Sequence, residues 1–232
     1  MVITVRLLYR NANRPFCNST TKRIVNFNSD AREFSDGTTK DWKTELYSTM
    51  KVLPNFISEK EEDILVQEVD PYMKKLRYEY SHWDNAIHGY RETEWKNWSK
   101  NSTQILDRIR KEAFPPETVH LSLVHILDLA PEGWIKPHID SVRFCGGVIA
   151  GLSLLSDSVM RLVMEGRSAD DKEYVACFLL PRRSLYIMSG IARYKYNHEI
   201  LKSEESYFEG RHVPKSRRIS IICRSEADPE VT

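Results

Sequence analysis

The stretch Trp134-Ile-Lys-Pro-His-Ile-Asp140 places an imidazole and a carboxylate two residues apart in a run that is otherwise typical of a β-strand. Successive side chains of a strand alternate between its two faces, so His138 and Asp140 are predicted to point the same way. A histidine and an aspartate on one face supply half of a metal site. When such a pair is taken alone, a surface turn is the alternative interpretation.

A third metal ligand has to come from elsewhere in the chain, and His198 is the best candidate. It lies in Tyr194-Lys-Tyr-Asn-His-Glu-Ile200, a second strand-like segment. Two histidines and one carboxylate on one side of a metal leave three coordination positions open, which is the arrangement of non-haem Fe(II) oxygenases. The pattern therefore predicts a metal centre with room for a chelating co-substrate and dioxygen.

The segment Arg217-Arg-Ile-Ser-Ile-Ile-Cys-Arg-Ser225 has the β-branched content of a strand. Period-two alternation places Arg218, Ser220 and Arg224 on one face and leaves the other face apolar. In a central strand such arginines are buried, and a buried guanidinium needs a carboxylate partner, which its two-pronged shape suits well. A dicarboxylic co-substrate would supply that partner. The alternative is an edge strand whose arginines are solvated.

Length and composition predict one sizeable soluble domain. The chain has 232 residues, 41% of them hydrophobic, and contains no run that approaches the roughly 18 apolar residues of a membrane span. We therefore expect no membrane insertion. The four cysteines lie far apart, with no CxxC pair for zinc and no dense disulfide pattern, and are expected to be reduced, mostly buried thiols.

Charge is distributed unevenly along the chain. Residues 1–29 hold five of the 34 basic residues and none of the 33 acidic ones, so the rest has 29 basic and 33 acidic residues and a net charge of −4. An arginine-rich, acid-free start is typical of a mitochondrial transit peptide, so residues 1–29 are predicted to be a targeting leader. The alternative is a disordered basic arm that binds nucleic acid. The mildly acidic body favours targeting, and with it the mitochondrial matrix.

Residues 30–49 are mostly polar and show no periodicity, so they are predicted to be a linker. A helix is expected to begin at Ser58, which can act as N-cap with Glu61 in the capping-box position. Pro71 is expected to end this helix, and Asp70 and Pro71 are expected to open a second short one. These helices are predicted to cover a sheet.

Residues 78–98 combine six aromatic side chains with histidines and charged residues around a single glycine, and they show neither a helical nor a strand period. Such a loop could line the mouth of a substrate site, or it could be a tightly packed connection between helices. The segment from Ser99 to Ala113 has apolar residues along one side and is followed by Pro115-Pro116, so it is predicted to be a helix.

Beyond residue 119 the pattern changes to short alternating or apolar runs. Strands are predicted at residues 119–129, 148–155, 159–164, 174–180, 184–188, 194–200 and 219–223. Seven or eight short strands after two or three helices predict an α+β fold, a double-stranded β-helix (jelly roll) braced by N-terminal helices. The domain is expected to span residues 50–226, with a tail at residues 227–232.

The predicted site residues resemble the AlkB-like branch of the Fe(II)/2-oxoglutarate dioxygenases, whose motif is HxD, a distal histidine and two arginines six residues apart. The residues that match this motif are His138, Asp140, His198, Arg218 and Arg224. Longer strings within residues 50–226 resemble the mitochondrial animal members of that branch. These strings are Arg77-Tyr-Glu-Tyr-Ser-His-Trp-Asp84, Ala86-Ile-His-Gly89, Ile135-Lys-Pro-His-Ile-Asp-Ser141, Ala150-Gly-Leu-Ser-Leu-Leu-Ser156 and Arg217-Arg-Ile-Ser-Ile-Ile-Cys-Arg-Ser225.

This resemblance implies that His138, Asp140 and His198 bind Fe(II), and that 2-oxoglutarate and dioxygen complete the cofactors. It implies that Arg218 holds the distal carboxylate of 2-oxoglutarate. Close to the co-substrate it places Ser220, Arg224 and, as a hydroxyl donor, Tyr186. The implied reaction oxidises a C–H bond while 2-oxoglutarate is decarboxylated to succinate.

The chain departs from the nucleic-acid repair members of that branch. Those members carry Asn and Tyr eleven and nine residues before the first iron histidine, where this chain has Leu127 and Leu129. The co-substrate contacts of Asn and Tyr must be replaced, for which Tyr186 is a candidate, or lost. Repair members also hold a flipped base with a lid, for which only residues 78–98 are available here. Since the body carries a net charge of −4 and no obvious phosphate track, duplex repair is not expected.

Three functions are compatible with these observations. The first, which we predict, is a matrix dioxygenase that hydroxylates a protein or peptide, acts as a monomer and, by resemblance, serves mitochondrial stress or cell-death signalling. The second is a demethylase of mitochondrial RNA such as tRNA, in which aromatic residues between His82 and Trp98 stack a base. The third is a non-enzymatic signalling protein that binds iron and 2-oxoglutarate.

Overall fold

Twelve β-strands and four α-helices make up the part of the chain that the structure, a computed structural model, describes: residues 25–27, 42–82, 85–167 and 174–227. The helices are α1 (Trp42–Thr49), α2 (Glu59–Met73), α3 (Lys100–Ala113) and α4 (Gly190–Tyr194). The strands are β1 (Val25–Phe27), β2 (Met50–Leu53), β3 (Ile87–Trp95), β4 (Val124–His138), β5 (Val148–Leu154), β6 (Ser158–Met164), β7 (Val175–Leu180), β8 (Leu185–Ser189), β9 (Tyr196–Ile200), β10 (Tyr207–Phe208), β11 (Arg211–His212) and β12 (Arg218–Arg224).

The long strand β4 joins two antiparallel sheets into a jelly roll. Its first half pairs with β12, and its second half pairs with β9. Strands β12, β5, β8 and β2 follow β4 on one side, and β9, β6, β7 and β1 follow it on the other, while β3 pairs with β4 alone. The predicted jelly roll braced by helices is confirmed. Because β4 belongs to both sheets, its residues lie beside strands that are far apart in the sequence.

Period-two alternation on β12 separates two apolar layers. Ile219, Ile221 and Cys223 pack in the layer between the sheet and helices α2 and α3, whereas Ile222 belongs to the layer inside the roll. Each large apolar side chain that is fully buried contributes roughly 1.5–3 kcal/mol to folding. One predicted face of this strand is therefore the interior of the roll, which holds its polar residues. The other face is the helix-covered exterior.

The first long helix begins where the sequence predicts. The Ser58 hydroxyl accepts the N–H of Glu61, and the Glu61 carboxylate accepts the N–H of Ser58, so the capping box forms. The Ser99 hydroxyl caps α3 by accepting the N–H of Ser102, while the N–H of Ser99 donates to the Glu68 carboxylate. The predicted break at Pro71 is wrong, since α2 continues through it. Pro71 lacks the N–H that would donate to the carbonyl oxygen of Gln67, but both residues are exposed, so water can satisfy that carbonyl group, and the helix still buries its final residue.

The predicted linker at residues 30–49 is wrong for residues 42–49, which form α1. Leu46 of this helix is fully buried against the interior layer, and β2 follows it directly and pairs with β8. Leu46 is the only fully buried residue of α1, and Trp42 and Tyr47 pack beside it in part, so the apolar side of this short helix is too small to mark it in the sequence. Strand β1 lies within the predicted leader and pairs with β7. The remainder of the leader and residues 228–232 of the tail lie outside the described residues.

Strand β3 lies in the middle of the segment in which the sequence shows no period. Its register with β4 shifts between His88 and Tyr90, at Gly89, whose φ is +66°. A bulge of this kind offsets the alternation by one residue, which hides the strand in the sequence. Tyr90 is buried in the interior layer, and Trp95 and Trp98 pack on the helix-covered layer with ring centroids 5.4 Å apart. These three rings are therefore used for packing.

No helix among the described residues is long and apolar enough to cross a bilayer. Cys145, Cys177 and Cys223 are free thiols, and two of the three are buried. The expectation of reduced, mostly buried cysteines is confirmed for these three, while Cys17 lies outside the described residues.

Candidate metal centre

The pairing of β4 with β9 brings the three predicted metal ligands together. His138, the last residue of β4, lies directly opposite His198, and the two ring centroids are 4.3 Å apart. Asp140 follows two residues after the end of the strand, and its Oδ1 lies 3.4 Å from Nε2 of His138. One ligand atom from each of the three residues lies within 4.8 Å of the others. The three residues could therefore hold one metal ion.

The surroundings of His198 and Asp140 favour the protonation states that bind a metal, and a backbone contact orients His138. Burial lowers the pKa of His198 to about 3, so its imidazole is neutral. Burial alone would raise the pKa of Asp140, but the hydrogen bond with His138 and the charge of Arg224 outweigh it and hold that pKa below its usual range. Nδ1 of His138 lies 2.9 Å from the carbonyl oxygen of Lys136, a contact that orients the ring, and its Nε2 is the nitrogen that lies near Asp140.

The donor set fits Fe(II). Nδ1 of His198 is buried and has no hydrogen-bond partner among the described residues. A buried nitrogen without a partner is costly, and no competing hydrogen bond from this atom holds the ring away from a metal ion. Two imidazoles and one ionised carboxylate that approach from one side are the ligand type and number of the open Fe(II) site of non-haem oxygenases.

Arg218 lies on the interior face of β12, which is a central strand between β4 and β5 and not an edge strand. The side chain is 3% exposed, and its Nε donates to the Ser153 hydroxyl at 3.0 Å. No carboxylate in the described part of the chain pairs with it; burial lowers its pKa to about 10, so it is charged at neutral pH. The nearby hydroxyl of Ser220 is also buried without a partner. These groups form a pocket suited to a carboxylate.

Tyr186 lies across the β5–β8 pair from Gly151, and its ring covers the glycine. A Cβ atom on Gly151 would come within 2.2–2.4 Å of the ring and hydroxyl of Tyr186. Burial raises the pKa of the Tyr186 hydroxyl, although the charge of Arg218 opposes the effect. The hydroxyl therefore stays protonated and can donate a hydrogen bond in the pocket of Arg218.

Gly151→Ala is expected to destabilise the protein by about 1–3 kcal/mol, the usual cost of overpacking, because the methyl group displaces the Tyr186 ring. Chemical denaturation of the single variant, of Tyr186→Ala and of the double variant measures this cost. In the double variant the added methyl group should cost little beyond Tyr186→Ala alone. Additive losses would show that the Tyr186 ring is not what the methyl group displaces.

Arg224, at the far end of β12, is held by polar residues that the sequence analysis missed. Its Nη2 lies 2.9 Å from Nδ1 of His125, and Nε2 of His125 lies 2.8 Å from a carboxylate oxygen of Glu92. Glu92 also pairs with His82 at 3.3 Å. His125 shares a face of β4 with Leu127, so the alternation of β4 was a signal that could have revealed it. The chain of contacts fixes the Nε2–H tautomer of His125 and orients Arg224.

Leu127 and Leu129 face the interior of the roll, where both are buried. They lie opposite Ser220 and Arg218, respectively, in the β4–β12 pairing. The β4 side of the pocket is therefore apolar. Its polar groups come from other strands, namely from Ser153, Tyr186 and Ser220. Of these, only Ser153 was missed by the sequence analysis.

Exposed aromatic and basic side chains lie in and beside the loop that follows Asp140. Phe144 is 68% exposed, and Arg143 beside it is exposed as well. Tyr194, at the end of α4, is 43% exposed, and its hydroxyl lies 3.2 Å from the position that a Cβ atom on Gly147 would occupy. Phe144 thus lies within the loop at residues 141–147, which begins directly after Asp140, and Tyr194 borders that loop. We refer to this surface as the loop rim.

The chain is similar to known oxygenases in sequence and in structure. The sequence model of the family described as "2OG-Fe(II) oxygenase superfamily" matches residues 35–224. The Mus musculus protein named alpha-ketoglutarate-dependent dioxygenase alkB homolog 7, mitochondrial, is 55% identical over 174 residues, which cover 75% of this chain and 77% of that protein.

Two solved structures share the fold. OsALKBH1 gives a TM-score of 0.55 at 10% identity and covers 76% of this chain and 97% of its own. A prolyl hydroxylase of Trichoplax adhaerens, in complex with a peptide fragment of the hypoxia inducible factor oxygen degradation domain, gives 0.53 at 11% identity and covers 84% and 96%. At these identities the likeness concerns the fold alone.

Proposed function

The chain belongs to the 2OG-Fe(II) oxygenase superfamily, and from this premise we propose which residues serve the reaction and on what they act. It is an Fe(II)/2-oxoglutarate-dependent dioxygenase, with Fe(II), 2-oxoglutarate and dioxygen as cofactors. We assign the metal to His138, Asp140 and His198, and the distal carboxylate of 2-oxoglutarate to Arg218. The remaining co-substrate contacts are assigned to Tyr186, Ser220 and Arg224.

The observation that carries this assignment is the unpaired charge of Arg218. A buried guanidinium costs several kcal/mol unless a carboxylate compensates it, and no carboxylate of the described residues does so. The charges of Arg218 and of the metal ligand Asp140 both act on the buried hydroxyl of Tyr186, which supports a co-substrate that reaches from one to the other. The Ser220 hydroxyl has no partner among the described residues, and the Tyr186 hydroxyl stays protonated, so both can form hydrogen bonds with the same ligand.

When bound together, Fe(II), 2-oxoglutarate and dioxygen supply an oxidant that removes hydrogen from a C–H bond, and the co-substrate leaves as succinate and CO₂. The chain prepares the site for them. A backbone carbonyl orients the ring of His138, and burial keeps the imidazole of His198 neutral, so that it can bind a metal. Arg218 compensates the charge of the distal carboxylate, and the two leucines of β4 keep water away from it.

We propose a protein or peptide of the mitochondrial matrix as the substrate. The loop rim supports this, because exposed aromatic side chains next to an arginine are typical of surfaces that bind other proteins. The rings of Tyr90, Trp95 and Trp98, which an RNA demethylase was expected to use for stacking, are occupied in the two packed layers. The Mus musculus relative is named mitochondrial, and the acid-free start of this chain supports the same compartment.

Succinate release from 2-oxoglutarate, measured with a mitochondrial protein extract, tests the assignment. We expect release that requires Fe(II), stops when a chelator removes the metal, and is absent in His138→Ala. A wild-type protein that binds Fe(II) and 2-oxoglutarate but releases no succinate with or without extract would contradict the enzymatic proposal and favour a sensor.

Mass spectrometry of the same reactions tests the substrate class. We expect matrix peptides that gain one oxygen atom with the wild type and not with His138→Ala, and a weak salt dependence of peptide binding. Mitochondrial tRNA that loses methyl groups, together with the steep salt dependence that phosphate contacts give, would indicate RNA and not a peptide as the substrate.

A role in stress or cell-death signalling, proposed from the family resemblance, predicts that cells carrying His138→Ala differ from wild-type cells in survival after oxidative challenge.

A further inference from the structure

Arg193 is a buried arginine that the proposed reaction does not use. It belongs to α4, is 1% exposed, and contacts the loop that leaves the metal centre. Its Nη1 donates to the carbonyl oxygen of Asp140 at 2.8 Å, and its Nε donates to that of Gly146 at 3.1 Å. Its Nη2 donates to the carbonyl oxygen and to Sγ of Cys145, at 3.1 and 3.2 Å. One guanidinium thus joins both ends of the loop.

A charged group at this depth is retained at a cost. No carboxylate among the described residues forms an ion pair with Arg193; backbone carbonyls and a thiol satisfy it instead. Hydrogen bonds from a charged donor are roughly twice as strong as neutral ones. All of these bonds can form together only while the loop keeps one conformation. The arrangement therefore stabilises a single path of the chain from Asp140 to Gly146.

The far end of this loop is already fixed by other contacts. The N–H of Gly146 donates to the carbonyl oxygen of Ser225 at 3.0 Å, and a Cβ atom on Gly146 would come within 2.1 Å of the backbone of Glu226. The near end differs, because Asp140 lies two residues beyond the last residue of β4. Through its hydrogen bonds to Gly146 and Asp140, Arg193 links the backbone of Asp140 to the fixed end of the loop.

We propose that Arg193 is a positioning residue for the metal ligand Asp140, a role that rests on the proposed function. It contacts the carbonyl group of Asp140 and not the carboxylate, so it acts through the backbone, by holding the Asp140 side chain toward His138 and His198. A ligand held in place before the metal arrives loses less conformational entropy on binding, and the metal affinity rises accordingly.

Metal binding by the full-length protein tests this role without any turnover. Mn(II) affinity is measured by electron paramagnetic resonance, and the geometry of the site by the visible absorption of bound Co(II). For Arg193→Met we expect an affinity about 10-fold to 100-fold below that of the wild type, the range found when groups that orient metal ligands are removed. The Co(II) spectrum should change as well. Arg193→Lys, which keeps the charge and some donors, should lie between the two.

Arg91→Met is the matched control. Arg91 is also buried, but it pairs with Asp128 on the outer side of β4 and does not contact the loop. This variant should lose thermal stability and keep the Mn(II) affinity and the Co(II) spectrum of the wild type. If Arg193→Met does not fold, the comparison is made with Arg193→Lys well below its melting temperature.

Wild-type affinity and spectrum in a folded Arg193 variant would overturn the positioning role and leave Arg193 as an anchor of the loop alone. The proposed function fails in a different way: the wild type itself would then bind no Mn(II), or would bind it equally well in His138→Ala.

Discussion

Arg218→Met is expected to weaken the binding of 2-oxoglutarate by about 30-fold to several thousand-fold and to make the ligand-free protein more stable. Removing one partner of a buried charge pair costs about 2–5 kcal/mol. At about 1.4 kcal/mol for each factor of ten, this cost corresponds to the expected loss of affinity. The gain follows because the ligand-free protein buries this guanidinium without a carboxylate. Methionine fills a similar volume without a charge to desolvate.

Arg217→Met is the matched control for this variant. Arg217 precedes Arg218 in the chain but points to the other side of the sheet, where it pairs with Asp128 and Asp70. Its removal should lower the melting temperature and leave the affinity for 2-oxoglutarate unchanged. Calorimetric titration with Mn(II) in place of Fe(II), together with thermal unfolding, separates the two effects. An Arg218→Met protein that binds 2-oxoglutarate as the wild type does, or that melts below it when ligand-free, would contradict the assignment.

The opposite roles of Arg217 and Arg218 show what the sequence could predict. Alternation along one strand is a local property, and it correctly assigns Arg218 and Ser220 to the interior face and Ile219 and Ile221 to the helix-covered face. It also indicates that β12 is a strand with a polar and an apolar side. Which face contains a ligand pocket depends on the neighbouring strands, and for this the motif resemblance was needed.

The contacts that the sequence analysis missed are those between segments far apart in the chain. Arg193 and the loop after Asp140 are separated by about fifty residues, and nothing near Arg193 in the sequence indicates that it is buried. The Gly151–Tyr186 contact depends on the register of two strands. Helix α1 and strand β3 were missed for local reasons, a single buried residue in the first and a bulge at Gly89 in the second.

Asp128 is the centre of a buried ion cluster on the outer side of β4. It is 0% exposed, and its carboxylate accepts Nε of Arg91 at 2.8 Å and three hydrogen bonds from Arg217 at 2.7–3.1 Å. The hydroxyl of Tyr78 donates to it at 3.2 Å, and Arg217 extends the cluster to Asp70 at the end of α2. One carboxylate thus joins β3, β4 and the residue that precedes β12, and through Arg217 it is linked to a covering helix.

Asp128→Asn is expected to lower the free energy of unfolding by about 3–5 kcal/mol, because two guanidiniums then remain in the cluster without their shared countercharge. For a chain of this size that corresponds to a fall of about 6–20 °C in melting temperature, at about 2–4 °C for each kcal/mol. Asp70→Asn, whose carboxylate is partly exposed and also pairs with Lys74, should cost about 1 kcal/mol or less.

The metal centre should be unaffected by Asp128→Asn as long as the protein is folded. Leu127 and Leu129, the neighbours of Asp128 in the chain, point to the opposite side and line the pocket, so the substitution alters the outer face of β4 alone. Mn(II) affinity at low temperature should therefore match the wild type even though the melting temperature falls. A loss of stability below about 1 kcal/mol would show that water can enter the cluster and solvate both arginines. A loss of Mn(II) affinity in the folded variant would show that the two faces of β4 are coupled.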